Sequence, residues 1–199
     1  TTKEKSSKRK VEAIWIGELG EHKINIQLDQ LPKDCCHLHD LLVPNPKSKT
    51  GFSQVDHVVV SPYGIFVIET KNYNGEIKGA RGDNQWSVSN RFKMYNPIMQ
   101  NYGHIKALEA LLPSNTMVSF TMRCRFSIDP ELRKIQSDEL IVYDVELTEF
   151  IERKLLRLKA EEALALSAEE VKRIYETIRK ANIEDPVVRR QHVEKIRSK

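Results

Sequence analysis

Cysteine is scarce in this chain, and its pattern excludes two common uses of that residue. The cysteines are Cys35, Cys36 and Cys124, three among 199 residues. An odd number does not suit a closed disulfide framework, and an adjacent pair lacks the spacing of zinc ligands. We therefore expect buried or inert thiols, a reducing compartment and a cytoplasmic protein.

Long apolar runs are also missing from the sequence. No stretch approaches the roughly 20 apolar residues that a helix needs to cross a bilayer. The start, TTKEKSSKRK, is polar and basic, unlike a secretory signal. Hydrophobic residues make up 40% of the chain and charged residues 30%, a balance typical of a globular protein in water. We expect no membrane partner.

A strong excess of one charge is absent as well. The formal net charge of +4 is too small to identify a nucleic-acid binder by itself. The basic residues nevertheless gather near both ends, within 3–10 and 189–199. Such runs can bind phosphates, but solvated termini are the simpler interpretation.

Hydrophobic periodicity predicts a chain that mixes helices and strands. The pattern predicts a helix over 9–31, strands over 36–43, 54–61, 64–71, 76–79, 85–89 and 91–95, a helix from Pro97 to about Leu112, and strands over 116–127 and 139–144. The remainder reads as helical, with a capping box at Ser167–Glu170. This order predicts an α/β fold: a mixed central β-sheet flanked by helices, with C-terminal helices.

Three charged side chains fall within one predicted β-hairpin. Asp56 lies in QVDHVVVS, and Glu69 and Lys71 end GIFVIETK. Because alternate side chains of a strand share a face, Glu69 and Lys71 point the same way. Charge in a strand rich in β-branched residues is costly unless a partner compensates it. A divalent cation such as Mg²⁺ would do so; the alternative is a strand end where these residues meet solvent or pair with each other.

The register of this hairpin decides whether the two acids share a face. Pro62 cannot adopt positive φ, which excludes a two-residue type I′ or II′ turn. A four-residue loop, 61–64, sets Asp56 opposite Glu69, whereas a loop shorter by one residue sets Asp56 opposite Thr70. Because a shared metal needs both acids on one face, we predict the first register.

Polar residues also occupy the apolar sides of two predicted helices. Glu21 lies on the stripe of the first helix that should face the sheet, where it needs a shared cation or a salt bridge to Lys71. Gln100 and His104 lie on a mostly apolar side of the second helix. They could hold a substrate phosphate or position a water molecule, or they could be hydrogen-bonded core side chains.

Three separated blocks of the sequence resemble the NERD domain, the nuclease-related domain. The blocks are GELGE (17–21), QVDHVVVSPYGIFVIETKNYNGEIKG (54–79) and NPIMQNYGHIKALEALL (96–112), in this order. The family is assigned to the PD-(D/E)XK nuclease superfamily, so the resemblance implies a restriction-endonuclease-like fold. The proline that gives the superfamily its name is absent, since Val55 precedes the acid, which is ordinary for the NERD group.

The extent of the resemblance predicts three parts of the chain. It covers roughly residues 10–145. We therefore expect a basic N-terminal segment over 1–10, a NERD nuclease-like domain over 11–145, and a C-terminal helical extension over 146–199.

The resemblance also implies a metal site. Glu21, Asp56 and Glu69 would ligate Mg²⁺ or Mn²⁺ together with the main-chain carbonyl of Thr70, and Lys71 would be the catalytic lysine. These residues match the acids and lysine of the family motif one by one.

Three further side chains are expected to position the substrate: Gln54, Gln100 and His104. Gln100 matches a family glutamine, and Gln54 precedes the strand acid as is usual in the family. We predict a metal-dependent nuclease that hydrolyses phosphodiester bonds, with DNA as the expected nucleic acid. The alternative is a nucleic-acid-binding or regulatory module that keeps the fold and has little activity.

Overall fold

The computed structural model describes residues 22–71, 77–114, 116, 118–124, 140–143, 147–163 and 165–198. The prediction for Glu21 lies outside these residues, as do the basic run 3–10 and the start of the first helix. None of the helices within these ranges is long and apolar enough to span a bilayer.

The elements follow the predicted order. The helices are α1 (22–28), α2 (Pro97–Glu109), α3 (Leu147–Ala160), α4 (Ala168–Ala181) and α5 (Pro186–Arg197). The strands are β1 (Cys36–Pro44), β2 (Phe52–Ser61), β3 (Gly64–Lys71), β4 (Ile77–Lys78), β5 (Gln85–Val88), β6 (Phe92–Tyr95), β7 (Val118–Cys124) and β8 (Leu140–Tyr143). The capping box at Ser167–Glu170 is formed and begins α4 as predicted.

The strands form two sheets. The larger has the order β1-β2-β3-β7-β8, antiparallel from β1 to β3 and parallel from β3 to β8. Strands β4, β5 and β6 form a small antiparallel sheet. The mixed sheet confirms the predicted α/β class, and the parallel β3–β7 pair follows from the crossover through α2.

Helices cover both faces of the larger sheet. On one side, which we call the α2 face, the strand residues Val58, Val60, Ile65 and Val67 pack with Leu108 of α2 and Ile174 of α4. On the other, the α1 face, the strand residues Val59, Phe66 and Ile68 pack with Ile24 and Leu28 of α1 and Ile151 of α3. Alternate residues of β2 and β3 therefore serve two cores, which explains their continuous apolar runs.

The hairpin of β2 and β3 has the predicted register. Val60 pairs with Ile65. Continued by one residue, this register would set Asp56 opposite Glu69, although the paired residues end at His57 and Ile68. The pairing of Val60 with Ile65 is therefore confirmed, and the shared face of the two acids stays a prediction.

The turn of this hairpin is shorter than the predicted four-residue loop. Ser61 pairs with Gly64, which leaves only Pro62 and Tyr63 in the connection. Gly64 takes the positive φ, 122°, and the Ser61 hydroxyl donates to the Gly64 carbonyl at 2.8 Å. A side-chain hydrogen bond and a glycine thus close the hairpin without a primed turn, which Pro62 forbids.

The small sheet is fastened to the start of α2 by one buried side chain. Asn96 caps α2, since its Oδ1 accepts from the backbone N–H of Ile98 at 2.9 Å. Its Nδ2 donates to the carbonyl oxygens of Arg81 at 2.9 Å and Asp83 at 2.7 Å, in the loop before β5. The loop and the helix therefore share one anchor.

Candidate active site

The hairpin end away from the turn carries the predicted charged side chains. Glu69 is only 2% exposed, and Lys71, two residues further on the same face, contacts its carboxylate through Nζ. Asp56 lies on the neighbouring strand and is partly buried. The apolar strand ends in a compact acid–acid–lysine group rather than in solvent.

Helix α2 contributes the two polar residues predicted for its sheet side. Gln100 donates through Nε2 to Glu69 Oε1 at 2.8 Å and accepts from Lys71 Nζ at 3.0 Å. One turn further, His104 Nε2 lies 3.3 Å from Glu69 Oε2. The structure therefore brings Gln100 and His104 together with Glu69 and Lys71.

Electrostatics keep Glu69 ionised despite its burial. Burial raises its pKa, but the charge of Lys71 and the hydrogen bond from His104 outweigh burial and hold the pKa below its ordinary value. Apart from the His104 contact, Glu69 Oε2 has no hydrogen-bond partner in the part of the chain that the structure describes. One oxygen of a buried carboxylate is thus left with capacity to bind a cation.

Asp56 is in the opposite situation. Burial, and next the Glu69 carboxylate, raise its pKa to about 7, although the backbone N–H of Thr70 and the Lys71 charge oppose the rise. Its Oδ2 accepts from the Thr70 backbone N–H and from the Thr70 hydroxyl, both at 2.8 Å. When Asp56 and Glu69 are both ionised, their two negative charges exceed the single positive charge of Lys71, so the site lacks positive charge.

This shortage fits a divalent cation. Carboxylate and carbonyl oxygens are the donors that Mg²⁺ and Mn²⁺ prefer, and Asp56 and Glu69 supply two neighbouring carboxylates. Among the described residues, no group of three or more His, Cys, Asp or Glu could hold a metal ion. A third carboxylate would have to come from outside them, where Glu21 lies.

Helix α1 gives this prediction a geometric condition. Ile24 and Leu28 pack on the α1 face, whereas Glu69 contacts Gln100 and His104 of α2 on the other side of the sheet. The apolar stripe of α1 therefore faces the sheet as predicted, but α1 lies on the side of the sheet away from the Glu69 carboxylate. For Glu21 to join Asp56 and Glu69, its carboxylate has to reach them around the end of the strands.

Gln54, expected to position substrate, has a different partner. Its Nε2 donates to Asp40 Oδ1 at 2.9 Å. Asp40 also forms an ion pair with Arg189 of α5, at 2.5 Å. Gln54 is thus linked to the C-terminal helix, and its substrate role stays a prediction.

His192, a buried residue of α5, was not among the residues predicted from the sequence. Its side chain is 4% exposed, its Nδ1 lies 3.0 Å from Thr50 Oγ1, and its ring meets Phe52 edge to face. Burial lowers its pKa, and the charges of Arg189 and then His104 lower it further. Helix α5 therefore packs against the start of β2 through the contacts of His192 with Thr50 and Phe52. A lone histidine in a polar helix offers no periodicity from which this could be inferred.

The thiols agree with the expectation of inert cysteines where they are described. Burial, followed by the charge of Asp34, raises the pKa of Cys35 to about 12. Cys36 is also a partly buried free thiol. The side chain of Cys124 lies outside the described part.

The mixed sheet with helices on both faces, and its acids and lysine at one hairpin end, define a nuclease-like α/β protein. The model of the nuclease-related domain family, NERD, matches residues 16–128. The chain therefore belongs to the NERD family, within the PD-(D/E)XK-like nuclease superfamily.

One relative extends the similarity beyond the family domain. An uncharacterised protein of Bacillus anthracis is 32% identical over 193 residues, which cover 93% of this chain and 85% of the relative. Helices α3 and α4 are thus included in the similarity. No solved structure shows a significant match.

Proposed function

We propose that the chain is a metal-dependent nuclease that hydrolyses phosphodiester bonds in DNA. One observation carries this proposal: Glu69 is buried with its pKa held low, it shares Lys71 and Gln100, and Asp56 on the neighbouring strand is close enough for the Glu69 charge to raise its pKa. Membership of the nuclease-related family supports it independently.

The proposed cofactor is Mg²⁺ or Mn²⁺. Asp56 and Glu69 would hold it, with Glu21 and the main-chain carbonyl of Thr70 as further ligands. When bound, such an ion polarises the phosphate and makes a water molecule a better nucleophile. The raised pKa of Asp56 supports the assignment, because a cation would favour the ionised form of this carboxylate.

Lys71 is the proposed catalytic lysine. Its ammonium group would stabilise the negative charge that develops on the phosphate oxygens, and orient the attacking water. Gln100 binds both the Lys71 ammonium and the Glu69 carboxylate, so it would hold the two in a constant relation. His104 would orient Glu69 from the other carboxylate oxygen.

The active unit is proposed to extend beyond the family match. Residues 11–145 would form the nuclease-like domain, 146–199 a helical extension, and 1–10 a basic segment. Helices α3 and α4 pack on opposite faces of the sheet, and α5 contributes the buried His192. Removing the extension would therefore uncover both cores.

A binding or regulatory module with the same fold is the second candidate. One observation favours it: Lys71 already compensates the Glu69 charge without a cation. Such a module would bind nucleic acid and leave it intact.

Cleavage of supercoiled plasmid in Mn²⁺ or Mg²⁺ separates the two candidates. We expect nicking by the wild type and none in chelator, and a loss of about 100-fold or more for Lys71→Ala. Lys106→Ala is the matched control, because Lys106 is an exposed lysine whose ion pair is with its helix neighbour Glu109. If plasmid, linear, single-stranded and branched DNA all stay intact with the metal present, the nuclease proposal is wrong and the binding module is favoured.

A further inference from the structure

The small sheet has one buried face and one exposed face. The buried face is formed by Ile77, Trp86, Val88 and Met94. Because side chains alternate along a strand, the intervening residues face the other way. They form a surface that we call the platform: Lys78, Gln85, Ser87, Lys93 and Tyr95.

The platform combines positive charge with an exposed aromatic ring. Lys78 and Lys93 both pair with Ser87, from opposite sides, and both are exposed. Tyr95 follows Lys93 by two residues, about 7 Å along the strand, and is 55% exposed. None of the platform residues is acidic. Lysines beside an exposed ring complement a nucleic-acid strand, whose phosphates are anionic and whose bases can stack.

The platform is connected to the candidate active site through one helical turn. Tyr95 ends β6, Asn96 caps α2, and Gln100 follows four residues later, about 6 Å along the helix axis. Gln100 contacts both Lys71 and Glu69. Since Asn96 also binds the loop before β5, the small sheet and the site are held together by more than the chain connection.

We propose that the platform binds an unpaired stretch of nucleic acid next to the active site. A base would stack on Tyr95, and neighbouring phosphates would bind Lys78 and Lys93. The occupant is single-stranded because the flat face of a base is accessible only when the base leaves the duplex stack. Binding by the platform does not require the proposed nuclease function. Only the role of that binding, which is to deliver a strand to the active site, rests on the proposed function.

The test measures binding without cleavage. Fluorescence anisotropy of a labelled oligothymidylate of about 15 nucleotides is followed with the full chain in chelator. We expect Tyr95→Ala to weaken binding by about 5- to 100-fold, because stacking is lost, and Tyr95→Phe to bind like the wild type. Tyr102→Ala is the matched control: Tyr102 is a 58% exposed tyrosine on α2, outside the platform. It should leave affinity unchanged.

The lysines are tested through the salt dependence of binding. Lys93→Ala should reduce the slope of log affinity against log salt by about 0.7, the value for one phosphate contact on a single strand. The control is Lys159→Ala, which should leave the slope unchanged. Lys159 is an exposed lysine of α3, the helix that packs on the α1 face of the larger sheet. A duplex of the same length should bind without dependence on Tyr95.

Several results would overturn the platform: no binding of the oligonucleotide, wild-type affinity of Tyr95→Ala, or equal losses in Tyr95→Ala and Tyr102→Ala. The proposed function fails separately. If strand binding depends on Tyr95 but no cleavage occurs in Mn²⁺, the platform proposal stands and the nuclease proposal is wrong. If the protein cleaves DNA with Mn²⁺ but the platform variants bind the strand as the wild type does, the nuclease proposal stands and the platform is wrong.

Discussion

The two ends of the β2–β3 hairpin both carry deeply buried side chains, but these side chains differ in chemistry. Near the turn, Val60 pairs with Ile65 among apolar side chains. At the other end, Glu69 is as inaccessible as these residues and carries a charge that Lys71 compensates. The degree of burial therefore does not distinguish structural from candidate functional positions in this hairpin. The need of a buried side chain for a charged partner does distinguish them.

The energies of the two ends differ accordingly. Full burial of a valine or isoleucine contributes about 1.5–3 kcal/mol to stability. A buried ion pair is close to neutral in stability, yet removal of one partner is costly because the other charge stays behind. The turn end should thus supply stability, and the charged end should depend on its partners and on a cation.

The largest effect on stability is expected for Lys71→Ala. In chelator, this variant leaves the Glu69 charge buried without its main partner, and we expect a loss of about 3–5 kcal/mol. Mn²⁺ should restore part of the loss, because a ligand that binds only the native state stabilises it. Thermal unfolding in chelator and in Mn²⁺ measures both values. Equal melting temperatures in the two conditions would contradict a metal site.

Ile65→Ala tests the turn end of the same strand. A cavity in the α2-face core should lower the free energy of unfolding by about 2–5 kcal/mol, and Ile65→Val by about 0.5–1.5 kcal/mol. Denaturant unfolding should give the same loss with and without Mn²⁺. A metal-dependent loss would mean that the two ends of the hairpin are coupled.

Asp56→Asn should stabilise the protein in chelator above neutral pH. Since the folded-state pKa is raised to about 7 by burial and Glu69, ionisation of Asp56 opposes folding. The penalty is absent below the unfolded pKa of roughly 4, grows as pH rises, and is complete above about 7. We expect a gain on the order of 2 kcal/mol at pH 8 and little at pH 4. A gain independent of pH would contradict this origin, and Asp40→Asn provides the control.

The smallest effect is expected where α5 meets β1. Arg189 binds the Asp40 carboxylate, the Asp40 carbonyl at 3.0 Å and the Ile183 carbonyl at 3.1 Å. Because this pair is partly exposed, Arg189→Ala should cost about 1 kcal/mol. Arg190→Ala, one residue further and exposed, should change the unfolding free energy by less than about 0.5 kcal/mol. Identical values for the two variants would remove Arg189 as an anchor of α5.

Local patterns sufficed for the features that depend on neighbours in sequence. Alternation along β3 predicts that Glu69 and Lys71 share a face. Pro62 leaves two registers for the hairpin, and the requirement that both acids reach one metal selected the observed pairing of Val60 with Ile65. Helical spacing likewise predicts that Gln100 and His104 face the same side of α2. These relations are set by the periods of strand and helix, which do not change with tertiary context.

Tertiary structure alone decided which distant residues meet at the site. Gln54 was predicted to face substrate, but its amide binds Asp40, which in turn binds Arg189 from the end of the chain. His192 contacts Thr50, 142 residues earlier, and so joins α5 to the start of β2. No local period relates positions so far apart, because their approach depends on how α4 and α5 pack against the finished sheet. Sequence therefore determined the charged hairpin end, and packing decided what surrounds it.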